Sequence, residues 1–238
     1  MRSYRNNIIY LDQHLKRIKE SSGLIKLILP YPLSTLKKII KDIVNINLLK
    51  DAYVRLTAWK SETSADILVV ARKYHTYSLK KYKQGFSVCV SGFRQNEHSF
   101  LARIKSTSYL LYQLAYLEAK EKGFDEAIIL NSRGYIAEAS RSNIFLVKDS
   151  QLFTPSLTCG CLDGITRRVI FDLAKKYHLK IFEGNFTLSD LYDSDEAFLT
   201  NSLMGVMPLR SIEKQNRGVG RITKFFMKKY NALLKNGT

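Results

Sequence analysis

The feature that most constrains this chain is the exchange of two hydrophobic periods along it. Short apolar runs of strand length alternate with amphipathic stretches of helical spacing. Such alternation argues for an α/β or α+β fold, and no internal repeat or low-complexity tract interrupts it. A short strand is expected at residues 8–10, with Asp12 as the N-cap of an amphipathic helix over 14–21. Pro32-Leu-Ser34 opens a second helix through Ile43, placing Leu36, Ile39, Ile40 and Ile43 on one face. The runs 52–59 and 66–71 read as strands that pair as a hairpin around residues 60–64.

The polar, Tyr/Lys-rich stretch 73–84 reads as a connector. It divides a small N-terminal α/β domain, 1–80, from a larger domain, 84–238. In the larger part, strands are expected at 86–90, 126–130, 142–147, 152–153, 180–182 and 196–200. A polar loop covers 91–99, and Gly134 is a hairpin turn between the strands on either side of it. Helices are expected from about 106 to 122, over 165–177, over 188–192 and from the C-terminal region through Leu234.

At 238 residues and 45% hydrophobic, the chain can bury a sizeable core. Its apolar runs fall far short of a membrane span, and no apolar stretch follows the charges of MRSYRNN, so a cytoplasmic setting is expected. Cys89, Cys159 and Cys161 are odd in number, which argues against a disulfide framework. Cys159-Gly-Cys161 has no neighbouring Cys/His cluster to complete the roughly four ligands of a zinc site, so no metal is expected. The net charge of +17 raises nucleic acid as a partner. The lysine pairs, however, sit beside apolar residues at helical spacing, as solvated helix faces do, and no nucleic-acid-binding signature accompanies them. The charge is then left to solubility and to the attraction of anionic small molecules.

Five local features carry chemistry when taken together. Ala102-Arg-Ile-Lys105-Ser-Thr-Ser-Tyr109 offers a lysine that alone would be an ordinary solvated residue. Gly134-Tyr-Ile-Ala-Glu138-Ala-Ser-Arg-Ser-Asn143-Ile-Phe145 sets a carboxylate between an apolar strand and a small-residue turn. Cys161-Leu-Asp-Gly164-Ile165-Thr166-Arg167 runs a glycine turn straight into a helix, whose first N–H groups and dipole favour an anion. Phe198-Leu-Thr200-Asn201-Ser202 follows an apolar strand with hydroxyl and amide donors. His14-Leu-Lys-Arg17 places an arginine on a helix, as a surface charge or a phosphate clamp.

In this order, from Tyr10 to Pro208, the motifs resemble the class IV aminotransferase family, which includes branched-chain and D-amino-acid aminotransferases and aminodeoxychorismate lyases. The resemblance implies a fold-type IV enzyme of pyridoxal 5'-phosphate, with a small N-terminal α/β domain and a larger pseudo-barrel domain. It implies that Lys105 holds the cofactor as a Schiff base and moves the substrate proton, and that Glu138 pairs with the pyridine nitrogen. Arg17, Ile165, Thr166 and Ser202 would hold the phosphate. Tyr109 resembles a tyrosine that reaches the cofactor's phenolic oxygen in branched-chain members, at a spacing one residue shorter. Arg55, in Tyr53-Val-Arg55-Leu-Thr, resembles an arginine near which substrate carboxylates bind, with a structural salt bridge as the competing reading.

These residue types suit that chemistry. Lysine is a nucleophile only when deprotonated, which desolvation and neighbouring cations favour. A carboxylate at the pyridine nitrogen keeps the ring an electron sink. Family members usually begin with strands before the segment that here is Arg2-Ser-Tyr4, so either the start is assigned internally or the first strands of the small domain are expected to be missing. Three functions follow: an aminotransferase acting between a branched-chain-like α-amino acid and a 2-oxo acid, an aminodeoxychorismate lyase releasing pyruvate and 4-aminobenzoate, or a catalytically silent basic binding protein. The resemblance also implies a homodimer.

Overall fold

A computed structural model describes residues 1–62 and 64–236, with only the backbone of Asn236. Thr63, within the turn expected at 60–64, lies outside the described residues. The chain divides into two compact units, Met1–Thr76 with the chain from Ala232 onward, and Tyr77–Asn231.

The first unit opens with the two-residue strands β1 (Ser3–Tyr4) and β2 (Asn7–Ile8), then helices α1 (Leu11–Leu24) and α2 (Leu33–Ile46) and the hairpin β3 (Ala52–Lys60) and β4 (Ala65–Lys73). Helix α1 begins three residues before the expected start. Tyr10, in the left-handed region at φ 54°, makes the entry turn, and no side chain caps it. Asp12 lies inside the first turn and pairs with Lys37 of α2. On α2 the buried row is Leu36, Ile40 and Val44, a spacing of four residues, with Ile39 and Ile43 half-buried beside it. The buried row forms one core with Leu11, Leu15, Ala52 and Val54.

The second unit is built on one mixed sheet of nine strands curled into a half-barrel. In chain order its elements are α3 (Leu79–Gln84), β5 (Phe86–Gln95), α4 (Leu110–Glu121), β6 (Glu126–Asn131), β7 (Ile136–Ala139), β8 (Asn143–Lys148) and β9 (Gln151–Pro155). There follow α5 (Ile165–Lys176), β10 (Ile181–Gly184), α6 (Leu188–Asp193), β11 (Glu196–Asn201), β12 (Gly205–Ile212), β13 (Gln215–Asn216) and α7 (Arg221–Asn236), whose last turn from Ala232 is counted with the first unit. The strands run in the order β10-β9-β8-β11-β12-β5-β6-β7, with β13 paired to β12. Strand β5 lies parallel to both β12 and β6.

Strands β6, β7 and β11 are buried almost throughout, which explains their continuous apolar runs rather than an alternation. Phe145 on β8 stacks on Phe198 on β11 at 5.0 Å between ring centres. Fully burying each such ring is worth on the order of 2–3 kcal/mol.

Further expectations change, beginning with the first strand, which covers Asn7–Ile8 and not 8–10. The connector contains a helix, α3, because Ser78 Oγ accepts from the Lys81 N–H at its start. Strand β5 extends through most of the stretch expected as loop. Helix α4 starts at Leu110, not near residue 106, because hydroxyl and carbonyl groups within 106–109 take the local N–H groups first. Gly134 turns β6 into β7, a short strand that intervenes before β8.

Candidate active site

The lysine segment leaves β5 and passes through one 3-10 turn, Phe100–Arg103, capped by Ser99. Ile104 beyond it is extended. Ala102 and Ile104 are buried, while Lys105, next along the chain, is exposed. The Ser106 hydroxyl accepts from the Ser108 N–H, so Lys105 is presented by a hydrogen-bonded loop and not by a helix.

Glu138 lies on β7 opposite Ile129 and is buried. Its Oε1 accepts from the Tyr112 hydroxyl at 2.9 Å, and its Oε2 from Asn143 Nδ2 at 3.3 Å. Burial pushes the carboxyl up to about 7 from the ordinary 4.5. The Lys105 charge, the Tyr112 hydroxyl, the Leu162 N–H and the Arg167 charge pull the other way. The Lys105 charge thus acts on a carboxylate that lies a helix and a strand further along the sequence.

Asn143, the first residue of β8, also donates to the Leu162 carbonyl at 2.7 Å. This bond fixes the loop before α5. A Cβ on Gly164 would meet Asn143 Oδ1 at 2.0 Å, so only glycine lets the start of α5 approach so closely. Gly164 is the N-cap of α5 with no side-chain cap, leaving the N–H groups of the first turn to another partner. Ile165 and Thr166 follow, both buried, and the Thr166 hydroxyl has no partner among the described residues. Behind them, buried Arg167 pairs with Glu183 and donates to the Pro155 carbonyl.

Ser202 is half-buried in the turn between β11 and β12. Asn201 shapes that turn, since its Oδ1 accepts from the N–H groups of Leu203 and Met204, each at 2.9 Å. The Asn201 amide also donates to Ser142 Oγ at 3.2 Å. Ser142 Oγ in turn donates to Glu126, a second buried carboxylate that burial raises to about 7. A chain of hydrogen bonds thus runs from Glu126 through the corner after β7 to the Ser202 turn. The neighbouring Thr200 hydroxyl is buried and without a partner among the described residues.

Lys105, Glu138, Ile165, Thr166 and Ser202 all belong to the second unit. Tyr109 does too, at the N-cap of α4 and 47% exposed, but the tyrosine that reaches Glu138 is Tyr112, one helical turn later. Arg17 is half-buried on α1 and Arg55 exposed on β3, both in the first unit. Tyr112, Gln95 and Asn143 are site residues that sequence reasoning does not select. Asn143 carries a signal, a polar residue at the head of an apolar strand, whereas Tyr112 reads only as part of an amphipathic helix.

The donors present fit a phosphorylated pyridine. An orphaned hydroxyl and an uncapped helix start suit a phosphate, and a buried carboxylate ringed by donors suits a protonated ring nitrogen. Known proteins point the same way. Residues 1–212 match the amino-transferase class IV family, and the chain belongs to that family. A branched-chain-amino-acid aminotransferase of Pseudomonas aeruginosa is 32% identical over 97% of this chain and 80% of its own length. The crystal structure of the Escherichia coli branched-chain amino acid aminotransferase superposes at a TM-score of 0.94, with 26% identity, covering 100% of this chain and 84% of that one. The branched-chain aminotransferase of the thermophilic archaeon Thermoproteus uzoniensis, solved with norvaline, gives 0.92 at 29% identity, covering 99% and 84%. The expected fold class holds: this is the fold of those enzymes.

Proposed function

We propose that the chain is a pyridoxal-phosphate aminotransferase that moves an amino group between an α-amino acid with a branched aliphatic side chain and a 2-oxo acid. The observation that carries the chemistry is a buried carboxylate, Glu138, ringed by donors and felt by the Lys105 charge, together with an uncapped helix start holding an orphaned hydroxyl. The family match and the names of the relatives support the reaction and the substrate class. When bound, the cofactor supplies an electron sink for the pair released at the substrate α-carbon.

The chain's own residues do the rest. Lys105 takes the α-proton and returns it, a task that needs its amine neutral for part of the cycle. Glu138 keeps the ring nitrogen protonated. The first N–H groups of α5 at Ile165 and Thr166, the Thr166 hydroxyl and Ser202 hold the phosphate and so orient the ring. For Arg17 as a phosphate ligand, Tyr109 at the cofactor and Arg55 at the substrate carboxylate, the support is the family resemblance alone.

The working form is a homodimer. Leu110, Leu114 and Leu117, spaced four and three residues apart, form an exposed apolar row along α4, and exposed apolar surface of this kind marks association. A cytoplasmic setting is consistent with three free cysteines.

The test is direct. Purified protein given the cofactor takes on a yellow absorbance band, and with leucine and 2-oxoglutarate it forms glutamate; Lys105→Ala loses both. Release of 4-aminobenzoate from aminodeoxychorismate without glutamate formation would replace this reading with the lyase. Absence of the band in wild-type protein would remove the enzyme reading.

A further inference from the structure

We infer that Tyr112, itself held by Gln95, is the positioning residue that fixes the Glu138 carboxylate toward the cofactor ring. This rests on the proposed function, since it assumes that Glu138 serves the ring nitrogen.

The bonding leaves little freedom in the direction of each proton. Gln95 Nε2 donates to the Gly160 carbonyl at 3.1 Å and to the Tyr112 hydroxyl oxygen at 2.9 Å. A carbonyl can only accept, so the nitrogen end of the Gln95 amide must face Gly160, and its second proton then points at Tyr112. A tyrosine hydroxyl has one proton. With its oxygen already receiving a proton from Gln95, Tyr112 sends its own to Glu138 Oε1.

The other carboxylate oxygen is treated in the same way. Asn143 must turn its nitrogen to the Leu162 carbonyl, which directs the remaining amide proton to Oε2. A tyrosine hydroxyl oriented by one amide, and a second amide acting directly, thus direct one side-chain donor to each oxygen of a carboxylate buried away from water. Gln95 and Asn143 are themselves buried, so neither amide can turn to solvent instead.

The backbone is shaped to keep Gln95 in place. Gly160 has a φ of +88°, and a Cβ there would stand 2.9 Å from Glu97 Cα and 3.0 Å from Gln95 Cγ. The loop presses its carbonyl onto Gln95 only because it carries glycine at this point. Close by, Glu97 accepts from Ser132 and Arg133. Burial opposes its ionisation, but its own N–H and the Ser132 donors more than offset this and hold the carboxyl at about 2, so Glu97, two residues beyond Gln95, ties the end of β5 to the turn after β6.

A purely structural Tyr112 would act through its ring, which packs beside Ala115 and Ala119. Tyr112→Phe keeps the ring and deletes the hydroxyl. The melting midpoint is expected to fall by only a few degrees, as for one lost buried hydrogen bond, with circular dichroism unchanged. The dissociation constant for pyridoxal phosphate, titrated into apoprotein, rises about tenfold, as for a lost hydrogen bond to a charged group. The kcat of amino transfer falls by a similar factor, with KM for the amino acid unchanged.

Gln95→Met leaves the hydroxyl present but free to turn its proton elsewhere, and gives a smaller change in the same direction. Equal cofactor affinity and equal kcat in wild type and both variants would overturn the inference while leaving the enzyme reading intact. If Tyr112→Phe fails to fold, wild-type values in Gln95→Met alone overturn it. Failure of the wild-type protein to take up the cofactor would instead sink the proposed function, and this inference with it.

Discussion

Two buried carboxylates, Glu126 and Glu138, both titrate near 7 in the protein without ligand, because burial penalises their charged forms before neighbouring donors recover part of the loss. Each binds its proton more tightly folded than unfolded. Their contribution to stability is therefore complete below about 4.5 and is lost as pH rises through about 7. His14, whose pKa burial lowers, pulls the opposite way in the same range. A difference between two proteins isolates the acid. The melting midpoint of Glu126→Gln, minus that of wild type, is expected to grow as pH is raised from about 5 to about 8; a constant difference would show that Glu126 stays ionised throughout. At this scale the sequence is informative where a residue type sits in a motif, as Lys105 and Glu138 do. It is silent on Tyr112 and Gln95, whose roles depend on which polar groups they meet across 17 and 65 residues of chain.

Among the elements, the start of α5 carries the tightest constraint. Asn143 occupies the space that a methyl group on residue 164 would need. Gly164→Ala should cost about 1–3 kcal/mol in unfolding free energy, the range for overpacking. It should also weaken cofactor binding in proportion as the first turn of α5 moves away. Unchanged cofactor affinity in that variant would mean that the turn does not hold the phosphate. The helical and strand periods locate most elements, since strong periodicity reports burial directly. They fail at α3, where one serine cap starts a helix in a polar stretch, and at α4, where serine and threonine delay one. Strand β7, which bears Glu138, stays hidden because its four residues, all buried, are too few to display a period.

For the whole molecule, the α/β class is legible, whereas the strand order of the sheet is not. Strand β12 pairs with β5 in parallel, Leu209 beside Phe86, and no local pattern announces a partner so distant in sequence. The apolar row on α4 makes the oligomer testable at this scale. Wild-type protein at micromolar concentration should sediment as a dimer, and the double substitution Leu110→Glu with Leu117→Glu should yield folded monomer with unchanged circular dichroism. A monomeric wild type would show that the row serves something else.

The hydroxyls of Thr166 and Thr200, without a partner among the described residues, and the raised carboxyls of Glu126 and Glu138 share a meaning beyond catalysis. Each is a buried polar group that the protein alone leaves unsatisfied or uneasy, and a ligand that met them would stabilise the native state through mass action. The coenzyme then behaves as the last piece of the fold. A cell short of its vitamin precursor would hold less of this protein as well as a less active one, because chains emptied of coenzyme open more often and fall to proteases first.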